Sequence, residues 1–223
     1  GKRLYPLTKD IPKPMILING KPMLHYLVDW AKKYNISEIV MMNGYKAEKI
    51  IEYFGDGSEF GIPITHSTEP YPLGSGGPLK YALQHIEETF AYISGDLVCE
   101  VDLNKMLRFH RQNNSDFTPL LHKSSHPQDS DILKVDEYSR VIKFISKKED
   151  HTDAGNLGNA GLCIIEPKIT SLMDKEIFNF ETYLYPKILE NKFKMMGYVT
   201  DELILDVGTP ERLKMIEESN FAK

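Results

Sequence analysis

Basic side chains and prolines dominate the first fourteen residues of the chain. Arg3, Lys9 and Lys13 lie among three prolines, and no hydrophobic period runs through the stretch. Proline removes a backbone donor and fixes φ, so these residues predict a rigid loop rather than a core strand or helix. Arginine offers a planar donor fork and lysine a point charge, which together suit a polyphosphate. A solvated tail is the alternative, and Leu4, Leu7 and the prolines argue against it.

Two aspartates follow apolar runs that predict strands. Asp96 comes after Phe-Ala-Tyr-Ile-Ser-Gly, and Asp206 comes after Glu-Leu-Ile-Leu. Ligands of open α/β sheets bind beyond the carboxyl ends of the strands. Two carboxylates there could share Mg²⁺, which takes one or two carboxylates together with phosphate oxygens and water. The more ordinary role of such an aspartate is to cap a turn or the next helix, and the residue pattern alone favours that role.

Two further stretches carry residues that suit ligand binding. The loop Leu73-Gly-Ser-Gly-Gly77 precedes a predicted helix, and its backbone could approach a flat base or a sugar closely. Its spacing is neither a Walker loop nor a dinucleotide fingerprint. Lys147 and Lys148 end a strand-like run, where they could meet a phosphate or remain solvated. His126 lies in a polar loop that suits a sugar contact or plain turn chemistry.

The elements that must position these residues alternate between helix and strand in the first half of the chain. Hydrophobic periodicity predicts helices at 22–34, 47–54, 79–86, 103–113, 180–190 and 210–219. Short apolar runs predict strands at 38–43, 62–67, 90–94, 117–122, 132–135, 141–146, 162–165, 193–199 and 203–206. From residue 117 the strands follow one another without a long helix, which indicates an antiparallel or mixed extension. We therefore expect one domain, 1–223, with a Rossmann-like three-layer α/β/α fold and a mixed, mainly parallel central sheet.

Composition narrows the class of protein. A net charge of −5 argues against a nucleic-acid binder but leaves room for a nucleotide in a local cationic pocket. The two cysteines, Cys99 and Cys163, stand far apart in apolar runs, which fits a reducing compartment without disulfides or a cysteine-rich metal site. No apolar run approaches the roughly 18 residues of a membrane span, and no signal peptide is present, so a cytoplasmic protein is expected. The chain lacks an initiator Met and opens on a loop, which predicts a missing N-terminal segment.

Six stretches, taken in chain order, resemble the motifs of the sugar-phosphate nucleotidyltransferase family. The opening Gly1-Lys-Arg3-Leu-Tyr-Pro-Leu-Thr8 with Pro12-Lys-Pro14 resembles the latter part of G-G-x-G-x-R-L-x-P-L-T and P-K-P. The others are Leu73-Gly-Ser-Gly-Gly77 for P-L-G-T-x-G, Ser94-Gly-Asp96 for N-G-D, Phe144-Ile-Ser-Lys147 for F-x-E-K-P, Asn159-Ala-Gly161 for N-x-G and Asp206-Val-Gly-Thr-Pro210 for D-x-G-T-P. Ser94, Ser146 and Lys148 depart from these patterns, which leaves the sugar-side contacts open.

The resemblance implies a nucleotide-diphospho-sugar transferase fold, a reaction and a set of roles. A sugar 1-phosphate oxygen would attack the α-phosphorus of a nucleoside triphosphate and release pyrophosphate, with Mg²⁺ as cofactor. The implied residues are Arg3 and Lys13 as catalytic groups on the triphosphate, Asp96 and Asp206 as metal ligands, Gly1, Leu73, Gly74, Gly76 and Gly77 at the nucleotide, and Lys147, Asn159 and Gly161 at the sugar phosphate.

Two further stretches of sequence narrow the choice of substrates. Residues 125–131 and 156–161 look most like family members that use GTP and D-glycero-D-manno-heptose 1-phosphate for cell-surface polysaccharides, some of them fused to a phosphatase domain. A mannose or glucose 1-phosphate with GTP, dTTP or UTP remains an alternative. A non-catalytic homologue that binds nucleotide sugar and regulates a partner is another, and the retention of Arg3, Lys13, Asp96 and Asp206 argues against it. The sequence carries no signal for an oligomeric state.

Overall fold

The structure, a computed structural model, describes residues 4–152, 154–219 and 221. Within them the α-helices are α1 (Met23–Lys32), α2 (Ala47–Phe54), α3 (Gly77–Ala82), α4 (Leu103–Gln112), α5 (Tyr185–Glu190) and α6 (Pro210–Glu218). The strands are β1 (Leu17–Ile18), β2 (Lys21–Pro22), β3 (Ile39–Asn43), β4 (Ile64–Thr68), β5 (Phe90–Ile93), β6 (Leu97–Cys99), β7 (Phe117–Lys123), β8 (Ile132–Val135), β9 (Val141–Ile145), β10 (Leu157–Ile165), β11 (Tyr198–Val199) and β12 (Ile204–Asp206). None of the helices in this part of the chain has the length and apolar character needed to cross a membrane.

The chain divides into two compact units whose segments interleave in the sequence. Unit 1 consists of Gly1–Tyr71, Ser94–Val101 and Leu203–Lys223, and unit 2 consists of Pro72–Ile93 and Asp102–Glu202. Each unit therefore contains elements that are distant in the sequence, and its core can form only when those segments meet.

Three small ladders build the strands of unit 1. β3 and β4 pair in parallel, from Ile39 opposite Ile64 to Asn43 opposite Thr68. β6 and β12 pair antiparallel, with Asp206 opposite Leu97. β1 and β2 form a hairpin whose turn, Asn19-Gly20, has positive φ at both residues, as the tight hairpin turns favoured by Asn-Gly require. Neither this hairpin nor β6 was predicted from the sequence.

Helix α1 provides the main apolar face of unit 1. Leu27, Val28 and Ala31 are buried along one stripe of the helix, which packs against β6. The Trp30 indole and the Tyr34 hydroxyl both donate to the Val101 carbonyl, at 2.8 and 3.0 Å. One apolar cluster around α1 and α6 contains Leu4, Ile16, Ile18, Met23, Val98, Val207, Leu213 and Ile216. Because Leu4 is buried there, this part of the opening stretch is not a solvated tail, although Leu7 is half exposed.

Strand β10 is the centre of the unit 2 sheet, whose order is β11-β7-β10-β8-β9. It pairs antiparallel with β7, with β8 through Gly158, and with β5 through Leu162 to Ile165. The ladder with β7 shifts register between Asn159 and Cys163, which marks a bulge in β10. On the far side of β7, β11 pairs in parallel.

The predicted mixed α/β class is confirmed. In the part of the chain that the structure describes, antiparallel pairs are more frequent than expected for a mainly parallel sheet. The strands from β7 to β10 follow one another without a crossover helix, and such connections give antiparallel neighbours. The predicted helix 180–190 consists of a π-helical turn, Phe180–Leu184, followed by α5. The predicted strand 193–199 reduces to β11 and isolated bridges at Met195 and Met196.

Candidate active site

Lys13 joins the two predicted metal-binding aspartates in unit 1. It opens a short 3-10 helix, Lys13–Met15, between Pro12 and Pro14. Its Nζ donates to Asp96 Oδ2 at 2.5 Å and to Asp206 Oδ1 at 2.7 Å. These three side chains, which are far apart in the sequence, therefore form one ion-pair cluster.

The pairing of β6 with β12 explains how the two aspartates meet. Asp206 is the last residue of β12, as predicted, and Asp96 lies in the turn that precedes β6. The antiparallel register places Asp206 opposite Leu97, and the Val207 amide donates to the Asp96 carbonyl at 3.2 Å. Backbone pairing thus holds both carboxylates near one ammonium group.

The helix-capping alternative for Asp206 is wrong. The N-cap of α6 is Thr209, whose hydroxyl accepts from the Arg212 amide at 3.3 Å. The Asp206 carboxylate instead contacts Lys13 and, at 3.4 Å, the Arg212 guanidinium, which also donates to the Asp206 carbonyl at 3.2 Å. Arg212 was not among the predicted site residues. Its signal is an arginine one turn into a helix that directly follows a strand-end aspartate.

The aspartate pair has the donor chemistry that a hard divalent cation requires. About a third of each carboxylate side chain is exposed, 36% for Asp96 and 35% for Asp206, so a small ion could reach the oxygens. The described residues contain no group of three or more His, Cys, Asp or Glu side chains arranged to hold a metal. Mg²⁺ commonly takes only one or two carboxylates, with phosphate and water completing its shell, so the pair fits such an ion. Gly1 and Arg3, the other predicted residues of this region, lie outside the described residues.

The glycine-rich loop of unit 2 packs against residues 176–180. The Leu73 carbonyl accepts from the Phe178 amide at 3.0 Å, and the Gly76 amide donates to the Phe178 carbonyl at 2.9 Å. A Cβ at Gly74 would lie 2.5 Å from that carbonyl oxygen, and one at Gly77 would lie 2.5 Å from Leu73 Cβ. The glycines are therefore required by this packing. Leu73, Gly76 and Gly77 are buried in this packing, whereas Gly74 is exposed.

The predicted sugar-side residues also lie in unit 2. The Lys147 side chain is exposed, and its amide donates to Asp131 Oδ1 at 2.9 Å. The Asn159 amide donates to the Asp131 carbonyl at 2.9 Å, and its Oδ1 accepts from the Tyr185 hydroxyl at 3.1 Å. Gly161 has φ of +77° at the β10 bulge, a conformation that favours glycine. Asp131 thus ties Lys147 and Asn159 together, a connection that the sequence analysis did not foresee.

His151 fastens the loop that carries Lys147. Its Nδ1 lies 2.7 Å from the Pro127 carbonyl and its Nε2 lies 3.0 Å from the Ser146 carbonyl. The buried His151 side chain thus links the backbone at residues 127 and 146, on the segment that carries Lys147.

Comparisons with known proteins agree on one family. A family model described as nucleotidyl transferase matches residues 1–221. A D-glycero-alpha-D-manno-heptose 1-phosphate guanylyltransferase from Aneurinibacillus thermoaerophilus is 36% identical over 216 residues, which are 95% of this chain and 90% of that protein. A mannose-1-phosphate guanylyltransferase from Mycobacterium tuberculosis is 33% identical, over 95% of this chain and 59% of that protein. The solved structure of HddC from Yersinia pseudotuberculosis complexed with GMP-PN superposes with a TM-score of 0.81 at 28% identity, over 97% of this chain and 93% of that chain.

Proposed function

Because the chain belongs to the nucleotidyl transferase family, we propose that it transfers a guanylyl group from GTP to D-glycero-D-manno-heptose 1-phosphate and releases pyrophosphate. The observation that supports this reaction most directly is the cluster in which Lys13 joins Asp96 and Asp206. It puts a cation beside two hard carboxylate ligands, as phosphoryl transfer between two anionic substrates requires.

The reaction needs positioning and charge stabilisation more than acid–base chemistry. The attacking oxygen belongs to the phosphate of the sugar 1-phosphate, which is ionised near neutral pH, so no general base is required. A bond forms between this oxygen and the α-phosphorus, while the bond from the α-phosphorus to the oxygen of the leaving pyrophosphate breaks. Catalysis then depends on aligning the two phosphates and on stabilising the negative charge of the transition state.

Lys13, Asp96 and Asp206 supply the charges of this mechanism. The two aspartates would hold the divalent cation, with Mg²⁺ as the proposed ion. When bound, such an ion neutralises phosphate oxygens and acts as a Lewis acid. The Lys13 ammonium, together with Arg3, would bind the triphosphate and stabilise the developing charge as a fixed point of positive potential.

The nucleotide and the sugar phosphate are assigned to the remaining predicted residues. The nucleotide would contact the backbone of the loop at Leu73, Gly74, Gly76 and Gly77, and also Gly1. On the sugar side, Lys147 would bind the phosphate, and Asn159 and Gly161 would face the ring. The Asp131 contacts support the sugar assignment, because they bring Lys147 and Asn159 to the same carboxylate-bearing residue.

The choice of GTP and heptose rests on the relative that is 36% identical and covered over nine-tenths of its length. Mannose 1-phosphate with GTP is the second candidate, favoured by the Mycobacterium relative. These two relatives do not favour the remaining alternatives, which are glucose 1-phosphate with dTTP or UTP and a non-catalytic homologue that binds nucleotide sugar. A single domain, a cytoplasmic location, a role in cell-surface polysaccharide synthesis and a fused or partner phosphatase stay predictions.

Pyrophosphate release tests the proposal. The full-length protein is mixed with Mg²⁺, each of the four NTPs, and heptose, mannose or glucose 1-phosphate, and we expect the highest kcat/KM with GTP and the heptose. Asp206→Asn should remove most of the rate while the circular dichroism spectrum is unchanged. Asp201→Asn, at an exposed aspartate nearby in the sequence, is the matched control and should keep the wild-type rate. An absence of turnover with every pair would refute the enzyme, and a preference for dTTP or UTP would refute the assigned base.

A further inference from the structure

Glu181 lies among the elements of unit 2 that carry the predicted sugar-side residues. It is the second residue of the π-helical turn Phe180–Leu184. Its Oε2 is 3.5 Å from the hydroxyl of Ser75 in the glycine-rich loop, and that hydroxyl accepts from the Phe180 amide at 2.9 Å. Four residues later in the chain, the Tyr185 hydroxyl donates to Asn159 Oδ1 at 3.1 Å.

The charges around Glu181 come from the same set of elements. Burial is the main cause of the raised pKa of the Glu181 carboxyl, and the Asp131 carboxylate raises it further, whereas a hydrogen bond from the Glu181 backbone, the Lys147 ammonium and the Ser75 hydroxyl lower it. Burial is the main cause of the raised pKa of Tyr185, and the charge on Glu181 raises that pKa further. Hydrogen bonds connect the same segment to the sugar-side residues: Tyr185 donates to Asn159 Oδ1, the Asn159 backbone amide donates to the Asp131 carbonyl, and the Lys147 backbone amide donates to Asp131 Oδ1.

The Glu181 carboxylate has acceptor capacity that the protein leaves unused. Two carboxylate oxygens offer about four lone-pair directions. The backbone amide of Glu181 itself contacts the carboxylate. Among the described residues, the Ser75 hydroxyl is the only side-chain donor that reaches it, and at 3.5 Å this is a long hydrogen bond. A half-buried carboxylate with so few donors costs folding free energy, which indicates that a ligand supplies the missing donors.

A sugar hydroxyl is the donor that this position suits. A carboxylate repels a phosphate, so Glu181 would not bind the phosphate group itself. Vicinal hydroxyls of a pyranose ring can donate to the two oxygens of one carboxylate, while a phosphate on the same molecule is attracted to the Lys147 ammonium. The neighbouring charges of opposite sign thus match a ligand with hydroxyls at one end and phosphate at the other.

We propose that Glu181 binds two neighbouring hydroxyls of the sugar ring and thereby determines which sugar 1-phosphates the enzyme accepts. This inference rests on the proposed function, because it takes the sugar 1-phosphate as the ligand. It adds a residue that none of the sequence motifs contains.

The experiment compares the wild type with Glu181→Ala and with the isosteric Glu181→Gln. For each we would measure kcat/KM for mannose 1-phosphate and its 2-, 3- and 4-deoxy analogues, and the KM for GTP. Loss of a charged hydrogen bond in a buried site typically costs about tenfold to a hundredfold. For the wild type, kcat/KM should be lower by that factor with one or two of the deoxy analogues than with mannose 1-phosphate. For Glu181→Ala, kcat/KM with mannose 1-phosphate itself should already be lower by that factor, and removing those hydroxyls should lower it by less than about threefold more. The KM for GTP should stay within about twofold in both variants, and Glu181→Gln should give an intermediate loss.

Glu176→Gln is the matched control, since Glu176 is an exposed glutamate of the same segment that accepts from Tyr81 at 3.1 Å. It should behave as wild type. Wild-type kcat/KM and wild-type discrimination in Glu181→Ala would overturn the inference while the enzyme proposal stood. Calorimetric binding of mannose 1-phosphate separates the reverse case: binding that depends on Glu181 without turnover would overturn only the proposed reaction. If the wild type neither binds nor turns over mannose 1-phosphate or D-glycero-D-manno-heptose 1-phosphate, both are refuted.

Discussion

Replacing Lys13 by methionine should lower both the stability and the activity of the protein. The Lys13 side chain is only 16% exposed, and its Nζ lies 2.5 and 2.7 Å from the Asp96 and Asp206 carboxylates. Methionine keeps most of the side-chain volume but removes the charge, so the two carboxylates lose their shared counterion. Arg212, 3.4 Å from Asp206, would remain as the nearest described cation.

The magnitude follows from the two hydrogen bonds and from the exposure of the carboxylates. Hydrogen bonds to charged groups contribute about 1.5–3 kcal/mol each, so two fully buried bonds would be worth about 3–6 kcal/mol. Surface ion pairs contribute only about 0–1 kcal/mol, and about a third of each aspartate is in contact with water. We therefore expect a loss of about 2 kcal/mol, which for a chain of this size lowers Tm by about 4–8 °C. The kcat should fall by about 10²–10³ if the ammonium also stabilises the transition state.

Thermal unfolding with and without Mg²⁺ is the assay, and it does not depend on turnover. Mg²⁺ at ten times its Kd would contribute about 1.4 kcal/mol to the folded state. The rise in Tm should be larger in Lys13→Met than in wild type, because the wild-type ammonium competes for the same oxygens. Lys105→Met is the matched control, since Lys105 lies 2.9 Å from Glu202 but is 54% exposed, and it should change Tm by less than about 2 °C. An unchanged Tm in Lys13→Met, or the same Mg²⁺ shift in all three proteins, would refute the reasoning.

Two further predictions concern unit 2 and can be checked by thermal unfolding. Gly77→Ala should destabilise the protein by about 1–3 kcal/mol, because the added Cβ would overlap the Glu176 carbonyl oxygen and Leu73 Cβ. The control is Gly95→Ala, which should change stability little because its Cβ would meet nothing closer than 3.6 Å. Glu181→Gln should be more stable than wild type at pH 7. Burial raises the folded-state pKa of Glu181 above its ordinary value of 4.5. The stability of the wild type therefore falls as the pH rises from 4.5 through the folded-state pKa, and the stability advantage of Glu181→Gln should vanish below pH 4.5. An advantage that persists unchanged to pH 3 would contradict this cause.

Sequence periodicity predicted the longer elements well, since an apolar stripe on a helix is a local property. Helix α2 has the predicted bounds, and α1 and α4 differ from prediction by one or two residues at their ends. The missed strands β1, β2 and β6 contain only two or three residues, which are too few to show alternation. The Asn19-Gly20 turn was a usable signal for the first two, because this dipeptide favours a tight hairpin.

The candidate site could be predicted only as far as local motifs allow. The strand-end positions of Asp96 and Asp206 suggested a shared role, and the structure brings both to Lys13. The register that pairs Asp206 with Leu97 depends on tertiary contacts and leaves no local trace. Arg212 and Glu181 were missed because a single charged residue on a helix is usually solvated.

Lys13 also resolves an electrostatic conflict within the aspartate pair. Two carboxylates that reach the same nitrogen atom repel each other, and without a counterion this repulsion would push them apart. The ammonium holds both in place while leaving a net negative charge on the three side chains, and the exposed third of each carboxylate remains open to a small cation. The same residue that makes the pair stable therefore weakens its hold on that cation. Sites of this kind should bind a divalent ion only moderately until phosphate oxygens add their own charge, so we expect Mg²⁺ to bind more tightly in the presence of GTP than alone.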